Sequence, residues 1–219
     1  MNNTANSTQK MLNYWAISLI FWACFRAYFG TNLPIWLDEL VAKPVIFLTP
    51  VAFYISKYEK EGFLKAVDLV TNKMKSSITF GMIVGGFFFL TGMTVQFIET
   101  GGLIFSEFGG FISFLMIIII SFGSSISEEI LSRGFVLKRL FKESGNVWSS
   151  VFFASLLFFF LHIPILFSNP DIHGPLLIQV MITDFLLSFT VSFMYLQKKN
   201  LMVPIIIHAF YNLSLYLFI

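Results

Sequence analysis

Cysteine is nearly absent from the chain, because Cys24 is the only one among 219 residues. A single cysteine excludes an internal disulfide and a zinc site built from several cysteines. Charged residues are also scarce, at 12% of the sequence, whereas hydrophobic residues make up 57% and the mean hydropathy is +0.81. A soluble domain ordinarily carries about 25% charged residues. The composition therefore predicts an integral membrane protein.

A strong excess of charge of either sign is missing as well, since the formal net charge is only +2. Such a weak balance predicts no nucleic-acid partner, and we interpret the basic residues as topology signals. The apolar run that follows the polar residues 1–10 has no small-residue cleavage site. We therefore interpret residues 11–29 as a retained transmembrane helix rather than a signal peptide.

Long apolar runs are abundant, and they predict an all-α polytopic membrane bundle of about seven transmembrane helices. Six runs are long enough to cross the hydrocarbon core, at residues 11–29, 78–98, 103–126, 147–167, 176–196 and 201–219. A seventh stretch, 33–55, carries Asp38, Glu39 and Lys43, and we interpret it as an interfacial helix followed by a short span. No internal repeat or linker divides the sequence, so we predict one domain over residues 1–219.

Basic residues cluster in three connections of this arrangement, at 57–75, 133–142 and 198–199. With seven spans these connections lie on one side of the membrane, and the N-terminus is cytoplasmic. Apolar residues within 57–75 predict a helix that lies on the inner membrane surface. The Gly85-Gly86 pair predicts close helix contact.

The acidic pair Glu128-Glu129 follows a very apolar run, where carboxylates are costly and usually functional. Glu129 and Arg133 are i,i+4 neighbours, a spacing that favours an ion pair on one helix. Glu128 has no basic residue three or four positions later. We therefore predict a structural role for Glu129 with Arg133 and a chemical role for Glu128.

Two of the three histidines lie within apolar runs, at His162 and His208. A turn at Gly145 lies midway between Glu128 and His162 in the sequence, so an antiparallel hairpin places the two at one level. The last helix carries His208 and, one turn later, Asn212. We predict that His208 reaches the level of Glu128 and His162.

This set of groups suits the addition of water to a carbonyl. We predict Glu128 as the general base, His162 as a partner that positions water, and His208 with Asn212 as oxyanion donors. A divalent metal such as zinc, held by Glu128, His162 and His208, stays an alternative to a metal-free site. The absence of a His-Glu-x-x-His motif argues against a zincin-type site.

Two further polar residues have weaker assignments. Asp184, the only acid in its predicted helix, either lines the cavity or pairs with Arg133. His173 lies in a predicted outer loop, and we assign it no role.

In order, the spacings Glu128-Glu129-x-x-x-Arg133, Phe158-x-x-x-His162 and His208-x-x-x-Asn212 resemble the motifs of the CPBP intramembrane proteases. This family comprises CAAX proteases and bacteriocin-processing enzymes and is also called the Abi family. The resemblance covers residues 105–219, which we take as the catalytic-motif part. It implies catalytic roles for Glu128, His162, His208 and Asn212, with Glu129 and Arg133 bracing the helix. Family members are named metalloproteases, but the arrangement also fits a metal-free glutamate protease.

The resulting hypothesis is an intramembrane endopeptidase that cleaves a membrane-associated peptide or protein. The composition favours a bacterial cell membrane, where the resemblance points to peptide maturation or bacteriocin self-immunity. One alternative is a non-catalytic immunity or regulatory protein that binds a peptide or a partner. Another is a proton-coupled transporter with Glu128, Asp184 and His162 as a relay, although the lack of an internal repeat counts against it.

Overall fold

The computed structural model describes residues 4–29, 33–69, 74–102, 110–168 and 174–218. Helices account for 90% of the structure, and no strand occurs within these described ranges. The helices are α1 Thr4–Tyr28, α2 Ile35–Tyr58, α3 Phe63–Ala66, α4 Met74–Thr100, α5 Phe111–Ser144, α6 Val147–Ser168, α7 Gly174–Lys198 and α8 Met202–Phe218. Two of them contain a π-helical segment, Asp38–Ala42 in α2 and Ile130–Leu137 in α5.

Five of these helices are long and apolar enough to cross a membrane, namely α2, α4, α5, α6 and α7. The last helix, α8, is a shorter apolar helix, and α1 is not among the five. The predicted all-α polytopic membrane bundle is therefore confirmed. The total of seven spans stays a prediction.

The count of 33–55 as a span agrees with a helix that is long and apolar enough to cross a membrane, but its division into an interfacial helix and a short span is wrong. Residues Ile35–Tyr58 form one continuous helix, and Asp38, Glu39 and Lys43 are buried inside the protein rather than placed at an interface. Charged side chains can be buried in this way only when they find partners. Asp38 forms an ion pair with Arg26 of α1, and Lys43 forms one with Glu39.

The helix predicted over 57–75 is not continuous in the part of the chain that the structure describes. Between the end of α2 at Tyr58 and the start of α4 at Met74, these residues form only the short helix Phe63–Ala66, and Asp68 has a left-handed backbone with φ of +57°. Ala66 and Val67 are buried, whereas Leu64 is 49% exposed. A Cβ atom added at Gly134 would lie 2.9 Å from the Cβ of Val67. The segment therefore joins one short helix to a loop packed against α5, and its place at the inner membrane surface stays a prediction.

The three basic connections do meet at one end of the bundle. Lys138 of α5 forms an ion pair with Asp68 at 2.6 Å, and the Tyr195 hydroxyl of α7 donates to the same carboxylate at 2.7 Å. Arg139 binds both carboxylate oxygens of Glu59, at 2.9 and 2.7 Å. These contacts join α2, the 59–69 loop, α5 and α7 at the basic end. Which side of the membrane that end faces stays a prediction.

Helix α8 is held among α4, α5 and α7, and small residues of α4 allow the closest approach. A Cβ atom at Gly81 would lie 3.1 Å from Ile206, and one at Gly85 would lie 3.1 Å from Phe210. Close contact is thus confirmed for Gly85. It is wrong for Gly86, which has no atom within 4 Å of its Cβ position.

The predicted turn after α5 is present. Gly145 adopts a left-handed backbone with φ of +63°, and its N–H donates to the carbonyl oxygen of Phe141 at 3.0 Å. Glycine is the residue that adopts this conformation without steric penalty, so it ends the helix here. The chain then reverses into α6, which packs against α1, α7 and the π-helical part of α5.

Candidate active site

Side chains from α1, α2, α5, α6, α7 and α8 line a cavity of about 260 Å³ in the interior of the bundle. The polar residues around it are Glu39, Lys43, Ser124, Glu128, His162, Asp184, His208, Tyr211, Asn212 and Tyr216. The rest of its wall is apolar and includes Trp22, Phe47, Leu161 and Leu166. An apolar cavity with a few convergent polar groups is the usual form of a small-molecule or peptide site.

Glu128 lies at the centre of this polar group and is only 4% exposed. Its Oε2 atom is 3.4 Å from Nε2 of His162 and 3.6 Å from Nε2 of His208. Three helices therefore deliver the carboxylate and both imidazoles to one level of the bundle. This confirms the common level predicted from their spacing, while their chemical roles stay predictions.

The Nδ1 atom of each histidine lies next to a hydrogen-bond acceptor. Nδ1 of His162 lies 3.1 Å from the carbonyl oxygen of Phe158, and Nδ1 of His208 lies 2.8 Å from Oε1 of Glu129. A carbonyl and a carboxylate accept hydrogen bonds, so each Nδ1 carries the proton in these contacts. In its neutral form each imidazole then presents an unprotonated Nε2 to Glu128.

Glu129 and Arg133 form the predicted ion pair, with 2.7 Å between the carboxylate and the guanidinium. Arg133 is 1% exposed, and it also donates to the backbone oxygen and hydroxyl of Ser188 at 3.1 and 2.8 Å. The same Glu129 oxygen accepts from His208. The pair therefore links α5 to α7 and α8 and fixes the orientation of one imidazole.

Lys43 is the main feature that the sequence analysis missed. Its ammonium Nζ lies 2.8 Å from Oε1 of Glu128 and 2.9 Å from Oγ of Ser124, and it also pairs with Glu39. The prediction that Glu128 is free of a basic partner is therefore wrong. Spacing along one helix identifies only partners within α5, whereas Lys43 comes from α2. A lysine and two acids within one apolar stretch were the available signal.

Asn212 and Asp184 both line the cavity. The amide nitrogen of Asn212 donates to Oγ of Ser125 at 3.2 Å. Asp184 accepts a hydrogen bond from the Tyr211 hydroxyl at 3.1 Å. The prediction that Asp184 lines the cavity is therefore correct. The alternative pairing with Arg133 is not formed, since Arg133 contacts Glu129 and Ser188 instead. His173 lies outside the described residues.

The predicted metal alternative would use Glu128, His162 and His208. Among the described residues, no group of three or more His, Cys, Asp or Glu side chains is placed to hold a metal ion. In addition, the Lys43 ammonium lies 2.8 Å from the same carboxylate. A fixed positive charge so close opposes the binding of a divalent cation.

Fold and site together define a class: a polytopic helical membrane protein with a buried carboxylate and two imidazoles at one level. Residues 110–214 match the family described as Type II CAAX prenyl endopeptidase Rce1-like. The match covers just under half of the chain and is consistent with a CPBP family intramembrane protease, which confirms the resemblance of the three motifs. It supports intramembrane endopeptidase activity in general. No curated protein and no solved structure gives a significant match.

Proposed function

We propose that this protein is an intramembrane endopeptidase in which Glu128 and His162 activate a water molecule and His208 and Asn212 stabilise the oxyanion. The observation that carries this proposal is the position of Glu128 Oε2, 3.4 and 3.6 Å from two imidazole Nε2 atoms at a cavity inside the membrane bundle. Buried ionisable groups that converge in a cavity are a typical signature of a reactive site.

Water activation uses two acceptors, Oε2 of Glu128 and Nε2 of a neutral His162. A water molecule in contact with Glu128 and His162 donates one hydrogen to Oε2 and the other to Nε2, because both atoms are acceptors. Its lone pair then points toward a substrate carbonyl. As the oxygen attacks the carbonyl carbon, its proton passes to the Glu128 carboxylate, which acts as general base.

The negative charge that develops on the carbonyl oxygen needs donors. Within the described residues, one N–H group of the Asn212 amide donates to Ser125, and the second is available for an oxyanion. Nδ1 of His208 donates to Glu129, so its Nε2 can donate only when the imidazole carries both protons. The Glu129 carboxylate stabilises that protonated form, as the buried acid does in a serine protease triad.

The second half of the reaction returns the proton. The tetrahedral intermediate collapses, the carbon–nitrogen bond breaks, and Glu128 gives the proton taken from water to the leaving nitrogen. The products are a carboxylic acid and an amine, and the Glu128 carboxylate is regenerated. All atoms of the water molecule appear in the products.

We propose a membrane-associated peptide or protein as the substrate, since the cavity lies within apolar helices and is largely apolar itself. The name of the matched family suggests the first probe, a prenylated peptide with a C-terminal CaaX sequence. Unmodified amphipathic peptides form the second set of probes. We further propose a role in peptide maturation or bacteriocin self-immunity, with the N-terminus on the cytoplasmic side of a bacterial membrane.

The test compares purified wild-type protein with Glu128→Gln in liposomes that contain these probes, with products identified by mass spectrometry. The substitution removes the base but hardly changes the shape of the side chain. We expect cleavage to fall about 10²- to 10⁴-fold, the range for loss of a general base. Full activity in Glu128→Gln protein would contradict the proposal.

The two alternative functions predict other results in the same preparation. A non-catalytic binding protein gives no cleavage by either form and retains its cellular phenotype in Glu128→Gln. A proton-coupled transporter gives substrate uptake into vesicles that depends on a proton gradient.

A further inference from the structure

We infer that Lys43 is a positioning residue for the proposed reaction: it compensates the charge of the Glu128 carboxylate and turns one carboxylate oxygen toward the two imidazoles. This inference rests on the proposed function and adds a residue that lies outside the matched segment, residues 110–214. It assigns a role in the chemistry to α2, which carries none of the three family-like motifs.

The two carboxylate oxygens of Glu128 have different surroundings. Oε1 accepts from the Lys43 ammonium at 2.8 Å and from the Ser124 hydroxyl at 3.0 Å. Oε2 has no hydrogen-bond partner within the described part of the chain, and it faces His162 and His208. Two donors on one oxygen fix the rotation of the carboxylate. The other oxygen is then left to accept a proton from water.

Lys43 also supplies the positive charge that the buried Glu128 carboxylate needs. A carboxylate removed from water loses several kcal/mol of hydration, so it needs a close cation to stay ionised. Arg26 is committed to Asp38, and Arg133 is committed to Glu129. Lys43, at 5% exposure, is the cation in direct contact with Glu128. Among the described residues, no lysine or arginine other than Lys43 contacts this carboxylate.

Lys43 itself is held in place by other residues. Glu39 lies one helical turn earlier on α2 and pairs with the ammonium, and Nζ lies 5.4 Å from the centre of the Trp22 ring. These contacts also allow a rival explanation, in which Lys43 only ties α2 to α5. The two explanations predict different effects on turnover once the fold is preserved.

The main variants are Lys43→Met and the double change Lys43→Met with Glu39→Gln. The double variant removes one charge of each sign, so it leaves fewer buried groups without a partner. The matched control is Lys138→Met, which removes a lysine–aspartate pair at the basic end, far from the cavity. Monodisperse elution in detergent and the unfolding midpoint establish that each variant is folded.

We expect kcat of both Lys43 variants to fall about 10- to 100-fold, the range for loss of a charge-assisted hydrogen bond. KM is expected to stay near the wild-type value, because Lys43 acts through Glu128 rather than on substrate. Lys138→Met is expected to keep the wild-type kcat. A folded Lys43→Met protein with the wild-type kcat would overturn the inference.

A double-mutant cycle separates positioning from a general structural role. When Glu128 is already Gln, Lys43 has no carboxylate to position, so Lys43→Met should cause no further loss of the residual rate. A structural role predicts the same fold-loss in both backgrounds, and that result would overturn the inference. Residual rates are measured by long incubation and mass spectrometry of the products.

Chemical restoration of the charge gives a second test. In a Lys43→Cys protein with Cys24→Ser, alkylation by 2-bromoethylamine rebuilds a side chain of lysine length with an ammonium. Alkylation by 1-bromopropane gives the same length without charge, and mass spectrometry identifies the modified residue. The exposed Cys24 must be replaced because it would react as well. We expect recovery of kcat only with the aminoethyl group, and equal recovery with the propyl group would overturn the inference.

These experiments distinguish the failure of this inference from the failure of the proposed function. Full activity of Glu128→Gln defeats the proposed function. Loss of activity in Glu128→Gln, together with a folded and fully active Lys43→Met, defeats only the role of Lys43.

Discussion

The C-terminal helices α5 to α8 and the first two helices contribute different kinds of group to the same cavity. From the C-terminal helices come the carboxylate, both imidazoles and the carboxamide, namely Glu128, His162, His208 and Asn212. From α1 and α2 come an aromatic wall, Trp22 and Phe47, and the ion pair of Lys43 with Glu39. One region carries the proposed reacting groups, and the other supplies counter-charge and enclosure. A family match confined to residues 110–214 therefore covers only part of the site.

The largest expected effect is on the free energy of unfolding, and it compares one buried arginine from each region. Arg133 of the C-terminal region is 1% exposed and binds Glu129 and Ser188, whereas Arg26 of the first helix is 8% exposed and pairs with Asp38. We expect Arg133→Met to lower the free energy of unfolding by about 3–5 kcal/mol, since it strands a buried carboxylate. Arg26→Met should lower it by about 1.5–3 kcal/mol.

Unfolding in mixed micelles of mild detergent and dodecyl sulfate measures both values. Adding Glu129→Gln to Arg133→Met should recover part of the loss, because no uncompensated charge then remains. An equal or larger effect of Arg26→Met would show that the first helices carry as much of the buried polar stability as the C-terminal ones.

The next effect concerns the oxyanion donors of the C-terminal region. We expect Asn212→Ala to lower kcat about 10²- to 10³-fold, the range for loss of one oxyanion donor. Ser125→Ala removes only the acceptor that orients Asn212 and should lower kcat about 2- to 10-fold. Steady-state cleavage in liposomes measures both, and equal effects would mean that Asn212 has only a packing role.

The smallest expected effect is that of chelators on kcat, and it tests whether Lys43 of α2 supplies the positive charge at the site. Because Lys43 places a positive charge against Glu128, and no group of three or more His, Cys, Asp or Glu side chains among the described residues is placed to hold a metal ion, we expect chelators to leave kcat unchanged. Cleavage is measured after dialysis against EDTA and then with added zinc. Loss of activity with EDTA and recovery with zinc would contradict this expectation and would assign the positive charge at the site to a metal.

Much of the C-terminal region could be predicted because its signals lie within single helices. The ion pair of Glu129 with Arg133 is an i,i+4 relation, and the common level of Glu128 and His162 follows from equal distances to the turn at Gly145. Helix geometry converts such spacings directly into positions. The continuous helix predicted over 57–75 is wrong because a contact between helices intervenes: Val67 packs against Gly134 of α5, and the neighbouring Asp68 takes a left-handed backbone.

The sequence by itself determined the all-α membrane class, the ion pair on α5 and the common level of Glu128, His162 and His208, because hydrophobic run length, helical rise and helical periodicity are local properties. Only the tertiary structure decided that Lys43 pairs with Glu128, that Glu129 orients His208 and that Asp184 faces Tyr211. These contacts join different helices, and their formation depends on how α2, α7 and α8 rotate and pack around α5. No spacing along the chain encodes that rotation directly.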